Sequence, residues 1–285
     1  MQRAIGVNTW VWASPLTDEN LPGIARTAAS MGFDVLELPV EQPGLWNPHV
    51  ARALLDELGM SATIVGAMAP GRDLVDALHR ESTQQYLAHC LEVATAMGAA
   101  VVAGPFTAAT GRTWRMSPEE RASVTATLRE ALAPVVADAA GRGLTLAIEP
   151  LNRYETSIIN TVEQAHDVLG PLLGPGLGLA LDTYHLNIEE RQPADAVRLA
   201  GDHLAHVQVC GTDRGAVGGD HADWDGLLDA LDDVGYSGPL CLESFTAHND
   251  TIAVAASIWR PLAASQDALA AMSIRYLTDL QEARR

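Results

Sequence analysis

The sequence predicts an α/β protein, a single (β/α)8 barrel, on three observations. Short apolar segments alternate with amphipathic ones from end to end, and eight such units fit into 285 residues, the complement of a closed barrel of ordinary length. Four of the later apolar segments carry an acid or amide at or near their C-terminal end: Glu149, Asp182, Gln208 and Glu243. A buried parallel strand that opens into a pocket reads in this way. The first strand continues as Gly6-Val7-Asn8-Thr9-Trp10, which lacks the glycine-rich phosphate turn of a doubly wound nucleotide-binding sheet.

Taken in order, Ala4 to Thr9 is the first strand. Asn20 to Met31 has apolar residues at helical spacing and stops at Gly32. Asp34 to Pro39 is the second strand. Asn47-Pro48 starts a helix that Gly59 ends, and Ser61 to Ala67 is the third strand. A longer helix, Glu81 to Met97, ends at Gly98, and Ala99 to Ala103 is the fourth strand. Ser117-Pro118-Glu119-Glu120 is an N-cap followed by acids in the first turn, opening a helix to about Ala140. Gly143 to Glu149, Gly178 to Asp182, His203 to Cys210 and Pro239 to Glu243 are strands five to eight. Thr161 to Leu169, Pro193 to Ala200 and Trp224 to Val234 are the helices between them. From about Ile252 a helical tail is expected, within one domain spanning 1–285. The period varies too much for a solenoid.

Composition narrows the function. The chain is 48% hydrophobic with a formal net charge of −18, so phosphate backbones and anionic membranes are disfavoured partners. Three cysteines, Cys90, Cys210 and Cys241, show no CxxC spacing, which suits a reducing compartment. No leader pattern or membrane span is visible, so a cytoplasmic location is expected.

In a (β/α)8 barrel all strand C-termini share one face. Neighbouring strands lie about 4.8 Å apart, so Glu149, Asp182, Gln208 and Glu243 can converge. Three carboxylates so close repel one another unless a counter-charge sits among them. A divalent ion fits, and oxygen-rich ligands favour a hard one: Mn2+ first, with Mg2+ or Co2+ as alternatives. Any one of these acids alone could instead cap a helix or pair with an arginine. Trp12 and Trp114 could wall a sugar ring or fill the core. Glu37, near the end of the second strand, could touch substrate or pair with a neighbouring cation, and His185, three residues after Asp182, is expected in the loop after the sixth strand.

Several motifs carry a family resemblance: Glu149-Pro150-Leu151-Asn152-Arg153-Tyr154-Glu155-Thr156, Leu181-Asp182-Thr183-Tyr184-His185-Leu186-Asn187-Ile188-Glu189-Glu190, Asp213-Arg214-Gly215, Cys241-Leu242-Glu243-Ser244-Phe245 and Ile258-Trp259-Arg260. In these the chain resembles the xylose-isomerase-like barrels and, among them, the ketose 3-epimerases of the D-tagatose and D-allulose group. The resemblance is specific from the fifth strand onward and weaker over 40–130. It implies a metal held by Glu149, Asp182, Gln208 and Glu243. It implies that Glu149 and Glu243 act as an acid/base pair at C3 through a metal-stabilised cis-enediolate, and that Glu155, His185 and Arg214 bind a keto sugar. It also implies a homodimer or homotetramer, with the tail available to pack between subunits. The epimerases usually have His where this chain has Gln208, while barrels of the hydroxypyruvate isomerase type have Gln. His206, two residues earlier in the same strand, points to the same face and is the alternative ligand. The rival activities are aldose–ketose isomerisation of the hydroxypyruvate isomerase kind and the elimination of C-glycoside-cleaving relatives. A DNA-repair barrel would need a His-rich three-zinc site and a surface that attracts DNA, against which the net charge of −18 argues.

Overall fold

A computed structural model describes residues 1–284 and shows a closed barrel of eight parallel strands in sequential order. The strands are β1 (Ile5–Asn8), β2 (Val35–Val40), β3 (Ser61–Gly66), β4 (Val101–Gly104), β5 (Thr145–Ile148), β6 (Leu177–Asp182), β7 (Leu204–Val209) and β8 (Leu240–Leu242). Between them run α1 (Leu21–Met31), α2 (Pro48–Leu58), α3 (Arg80–Met97), α4 (Pro118–Arg142), α5 (Val162–Leu169), α6 (Thr183–Glu189), α7 (Pro193–Ala200) and α8 (Trp224–Asp233). The expected barrel and its strand order are therefore observed. Arg285, the last residue of the expected domain, lies outside the described residues.

The helix boundaries follow the local chemistry. Asn47 Oδ1 accepts the backbone N–H of His49 at the start of α2, and Gly59 ends that helix at φ 69, a left-handed conformation that costs glycine little. Ser117 and Glu120 close a reciprocal capping box at the start of α4.

Two expectations are corrected. The tail is not one helix: α9 (Asp250–Ala255) and α10 (Gln266–Ala283) are separated by an irregular stretch. Ser257 there adopts φ 56, and Pro261 follows shortly after, so helical hydrogen bonding cannot run through. His185 is not in a loop. It lies on the short helix α6, which the Asp182 side chain caps by accepting the Tyr184 N–H.

Strand alternation sorts the side chains into two environments. Leu36, Leu38, Ile64, Val102, Leu146, Ile148, Leu179, Leu181, Val207 and Val209 are buried in the main hydrophobic core, between sheet and helices. The opposite parity carries Gly6, Asn8, Glu37, Thr63, Ala103, Ala147, Ala180, His206, Gln208 and Cys241, also buried. The lumen is thus small and polar, unlike the branched aliphatic filling usual in such barrels.

Crowding in that lumen is severe at one point. A Cβ on Gly6 would lie 2.6 Å from Cys241 Sγ and 3.1 Å from Val35 Cβ. Gly6→Ala is expected to destabilise the fold by about 1–3 kcal/mol, the usual cost of overpacking, read as a lower urea midpoint at unchanged slope. A wild-type midpoint would contradict this packing.

Candidate active site

Strands β5, β6 and β8 deliver three carboxylates to one end of the barrel. Asp182 ends β6, and while its Oδ1 caps α6, its Oδ2 bonds Arg214 Nη1. Glu243 follows β8, and its Oε2 lies 2.9 Å from the same Arg214 Nη1. Glu149 follows β5, and its Oε1 is buried with no hydrogen-bond partner among the described residues, 3.4 Å from His185 Nε2. All three carboxylates, His185 and Arg214 are buried. The structure therefore brings together Glu149, Asp182, Glu243, His185 and Arg214 as the sequence suggested.

Arg214 holds a left-handed backbone, φ 67, which is strained for a residue with a side chain. The turn from Gly211 to Gly215 and a 2.6 Å hydrogen bond from Ser244 Oγ to the Arg214 carbonyl hold it there. Its guanidinium stacks over Tyr184 at 4.2 Å. Beside it opens a cavity of about 350 Å³ lined by Tyr184, Arg214, Ser257 and Trp259, among others.

Electrostatics follow from the crowding. Burial, then the charges of Glu243 and Asp182, push the Glu149 carboxyl well above the usual range. Burial also lifts Glu243, with Arg214 pulling it down and Asp182 pushing it up. Burial and the neighbouring Arg214 charge push His185 down to about 3, so its ring is neutral at ordinary pH. Glu155 is lifted by burial, although Arg214 and Asn152 favour its charged form. Burial raises the Cys210 thiol, which keeps it from being a nucleophile.

A second polar group lies across the lumen. Glu37 on β2 is fully buried and accepts from Asn8 Nδ2 at 2.9 Å and Gln208 Nε2 at 2.8 Å. Its Oε2 lies 2.5 Å from His206 Nε2 and 3.3 Å from Thr63 Oγ1. Strands β2 and β7 are not neighbours, so the bonds to His206 and Gln208 cross the barrel. Burial alone would raise the Glu37 carboxyl, but the His206 charge and these hydrogen bonds hold it below its ordinary value. Gln208 Nε2 also reaches Glu243 Oε1 at 2.8 Å. Of the two β7 candidates, Gln208 stands beside Glu243, while His206 is engaged by Glu37.

Trp12 and Trp114 are half-buried against the main core, one of the two places the sequence allowed them. Trp12 Nε1 donates to Asp267 Oδ1 at 2.7 Å, tying the β1 loop to the start of α10. Trp114 lies under the Arg112 guanidinium at 4.5 Å. The aromatic pair near Arg214 is instead Trp10 and Phe245, 5.7 Å apart. Sequence reading passed over Phe245, Asn8 and Asn152. The signal for Asn8 was its parity with Gly6 on the lumen side of β1. Asn152 lay within the Glu149–Thr156 motif, with no cue to what it touches.

The donor set suits a hard divalent ion. Asp182 and Glu243 already share one cationic nitrogen, and Glu149 Oε1 is an orphaned buried oxygen beside them. Three anionic oxygens, an amide and an imidazole nitrogen are ligand types such ions accept.

The fold has known counterparts. The family model described as xylose isomerase-like TIM barrel matches residues 25–276. The chain is 29% identical over 279 residues to the ketose 3-epimerase of Arthrobacter globiformis, covering 96% of both chains. A solved L-ribulose 3-epimerase superposes with a TM-score of 0.91 at 26% identity, covering 100% of this chain and 96% of that one. A D-allulose 3-epimerase from Methylomonas sp., solved with D-allulose, superposes with a TM-score of 0.88 at 27% identity, covering 98% and 97%.

Glu37→Ala is expected to cost about 3–5 kcal/mol in urea denaturation, because His206 and two amides lose their shared acceptor. The pH sign is definite. A carboxyl with a depressed folded pKa contributes stability above its ordinary value of about 4.3 and loses it as pH falls through the folded value. Glu37→Gln should therefore flatten the loss of stability below about pH 4; an unchanged acid limb would refute the assignment.

Proposed function

The chain belongs to the xylose isomerase-like TIM barrel family, in its ketose 3-epimerase group, and on that premise we propose that it is a divalent-metal-dependent ketose 3-epimerase. The observation that carries the reading is the meeting of Asp182 and Glu243 on one guanidinium nitrogen, with the unpartnered Glu149 Oε1 alongside. Glu149, Asp182, Gln208 and Glu243 are the residues that would hold the ion, Mn2+ in the first instance. When bound, it supplies Lewis acidity that stabilises negative charge on the keto oxygen.

The side chains supply the proton chemistry. Hydrogen beside a ketone is weakly acidic, and removing it needs a base placed against that carbon. Glu149 and Glu243 come from β5 and β8 with β6 and β7 between them, so they can address opposite faces of a sugar held across the mouth. Burial raises both carboxyls, which suits groups that take and return protons near neutral pH. One carboxylate accepts the C3 proton and the other delivers a proton to the opposite face, inverting the carbon. His185 and Arg214 donate to the oxygens near the carbonyl, and Glu155 accepts from a hydroxyl.

The rim favours an uncharged substrate. Arg112, Arg153 and Arg260 are each paired with a carboxylate, Asp73, Glu189 and Asp213 respectively. Arg153, which could have met an anionic substrate, is bound twice by Glu189 at 3.0 Å. A hydroxypyruvate-type isomerase would want such a cation free.

In D2O with Mn2+, D-allulose, D-tagatose or D-fructose should gain deuterium at C3 and yield its C3 epimer. Exchange at C1 alone would mark an aldose–ketose isomerase instead, and no exchange with any keto sugar would overturn the proposal. Glu149→Gln and Glu243→Gln should each lower kcat by about 10²–10⁴-fold with an unchanged circular dichroism spectrum. Chelation should abolish turnover and Mn2+ should restore it. Calorimetric titration should then show one Mn2+ per chain, weakened by Asp182→Asn.

A further inference from the structure

We propose that Asn152 is a positioning residue that sets the His185 tautomer and the Glu155 orientation together. This rests on the reading of His185 and Glu155 as groups that face the keto sugar. Asn152 is buried, in the loop after β5. Its backbone N–H donates to His185 Nδ1 at 3.0 Å. A backbone N–H can only donate, so Nδ1 must carry the lone pair. In a neutral ring the proton is then on Nε2, the nitrogen 3.4 Å from Glu149 Oε1 and 3.8 Å from Asp182 Oδ2.

Arg214 Nη2 lies 3.0 Å from that same Nε2 and competes for a lone pair there. One ring cannot accept at both nitrogens while neutral. The Asn152 N–H is fixed by the main chain, with the Glu155 and Thr156 N–H groups folded back onto the Asn152 carbonyl at 3.0 and 3.2 Å. The guanidinium is already anchored through Nη1 on Asp182 and Glu243, so its place does not depend on the Nη2 contact, and that contact is the one that yields. His185 therefore presents an N–H donor to the carboxylates and to a ligand oxygen.

The side-chain amide is oriented as firmly. Asn152 Oδ1 accepts the Tyr154 N–H at 3.0 Å, which turns Nδ2 towards Glu155 Oε1 at 2.7 Å. The same Nδ2 lies 3.0 Å from His185 Nδ1, a second donor at the ring nitrogen that carries the lone pair. One buried residue thus aims one donor and one acceptor at the same ligand.

The test is long-range proton–nitrogen NMR of the whole protein labelled with 15N-histidine, with and without variants. Wild-type His185 should be the Nε2–H tautomer; the Nδ1–H form would overturn the proposal before any substitution is made. Asn152→Ala keeps the backbone N–H and should keep the tautomer while freeing Glu155, raising KM for the best keto sugar about tenfold with a smaller change in kcat. Wild-type kcat and KM in that variant would remove Asn152 from positioning Glu155. The NMR result does not depend on turnover, so failure of the epimerase reading and failure of this one are separable.

Discussion

The constraint on which the site depends is the enclosure of Glu149, Asp182 and Glu243 in one poorly solvated volume. Like charges at that range are tolerable only with a counter-charge or with some carboxyls protonated. Both responses are visible. Arg214 Nη1 joins Asp182 to Glu243, and burial drives Glu149 and Glu243 towards their neutral forms. A site in this balance attracts positive charge and carries carboxyls that keep their protons to higher pH than an exposed acid does. The chemistry proposed for it needs both properties.

That balance is held from below by the lumen. An aliphatic barrel interior would pack well but could not direct the strand-end side chains. Here Glu37 gathers Asn8, His206 and Gln208, and Gln208 passes the restraint on to Glu243. Every bond in this chain involves a buried group, so losing one leaves others unsatisfied at a cost of about 1–3 kcal/mol each. Ala103, Ala147 and Ala180 pack in a small apolar cluster with Val65, Trp10 and Phe245, beside the polar frame that supports the carboxylates.

Much of this was legible in the sequence. The barrel followed from eight alternations, and the acids followed from apolar runs that stop at a carboxylate, because a strand leaving the sheet has that signature. Other features were hidden for physical reasons. His206 and Gln208 share a face, so parity could not choose between them; both reach Glu37 across the barrel, and Gln208 also reaches Glu243. His185 read as a loop residue because α6 (Thr183–Glu189) is too short to show a period, and its cap, Asp182, was already assigned to the pocket. The tail read as continuous because its alanines favour helix, while the break depends on the backbone at Ser257. Trp12 read equally as pocket wall or core; it packs against the core, and its indole donates to Asp267, a partner 255 residues away that no local pattern announces.

The division of labour around the rim explains why reaction class is easier to infer than substrate. The acids, Gln208, His185 and Arg214 all come from β5 to β8 and the segments after them, where the motifs are dense. The opposite rim, after β1 to β4, is built by tertiary pairings. Arg112 reaches Asp73 at 2.5 Å and covers Trp114, the Trp114 N–H donates to Ser157 Oγ, and the Gly111 N–H donates to the Glu155 carbonyl. These bonds fasten the β4 loop to the β5 loop, so the rim after β4 is positioned by the segment that carries Glu155 and Asn152. A change of preferred sugar can therefore arise in the β3 and β4 loops without touching a carboxylate, whereas a change of reaction must alter the spacing of Glu149, Asp182 and Glu243 themselves.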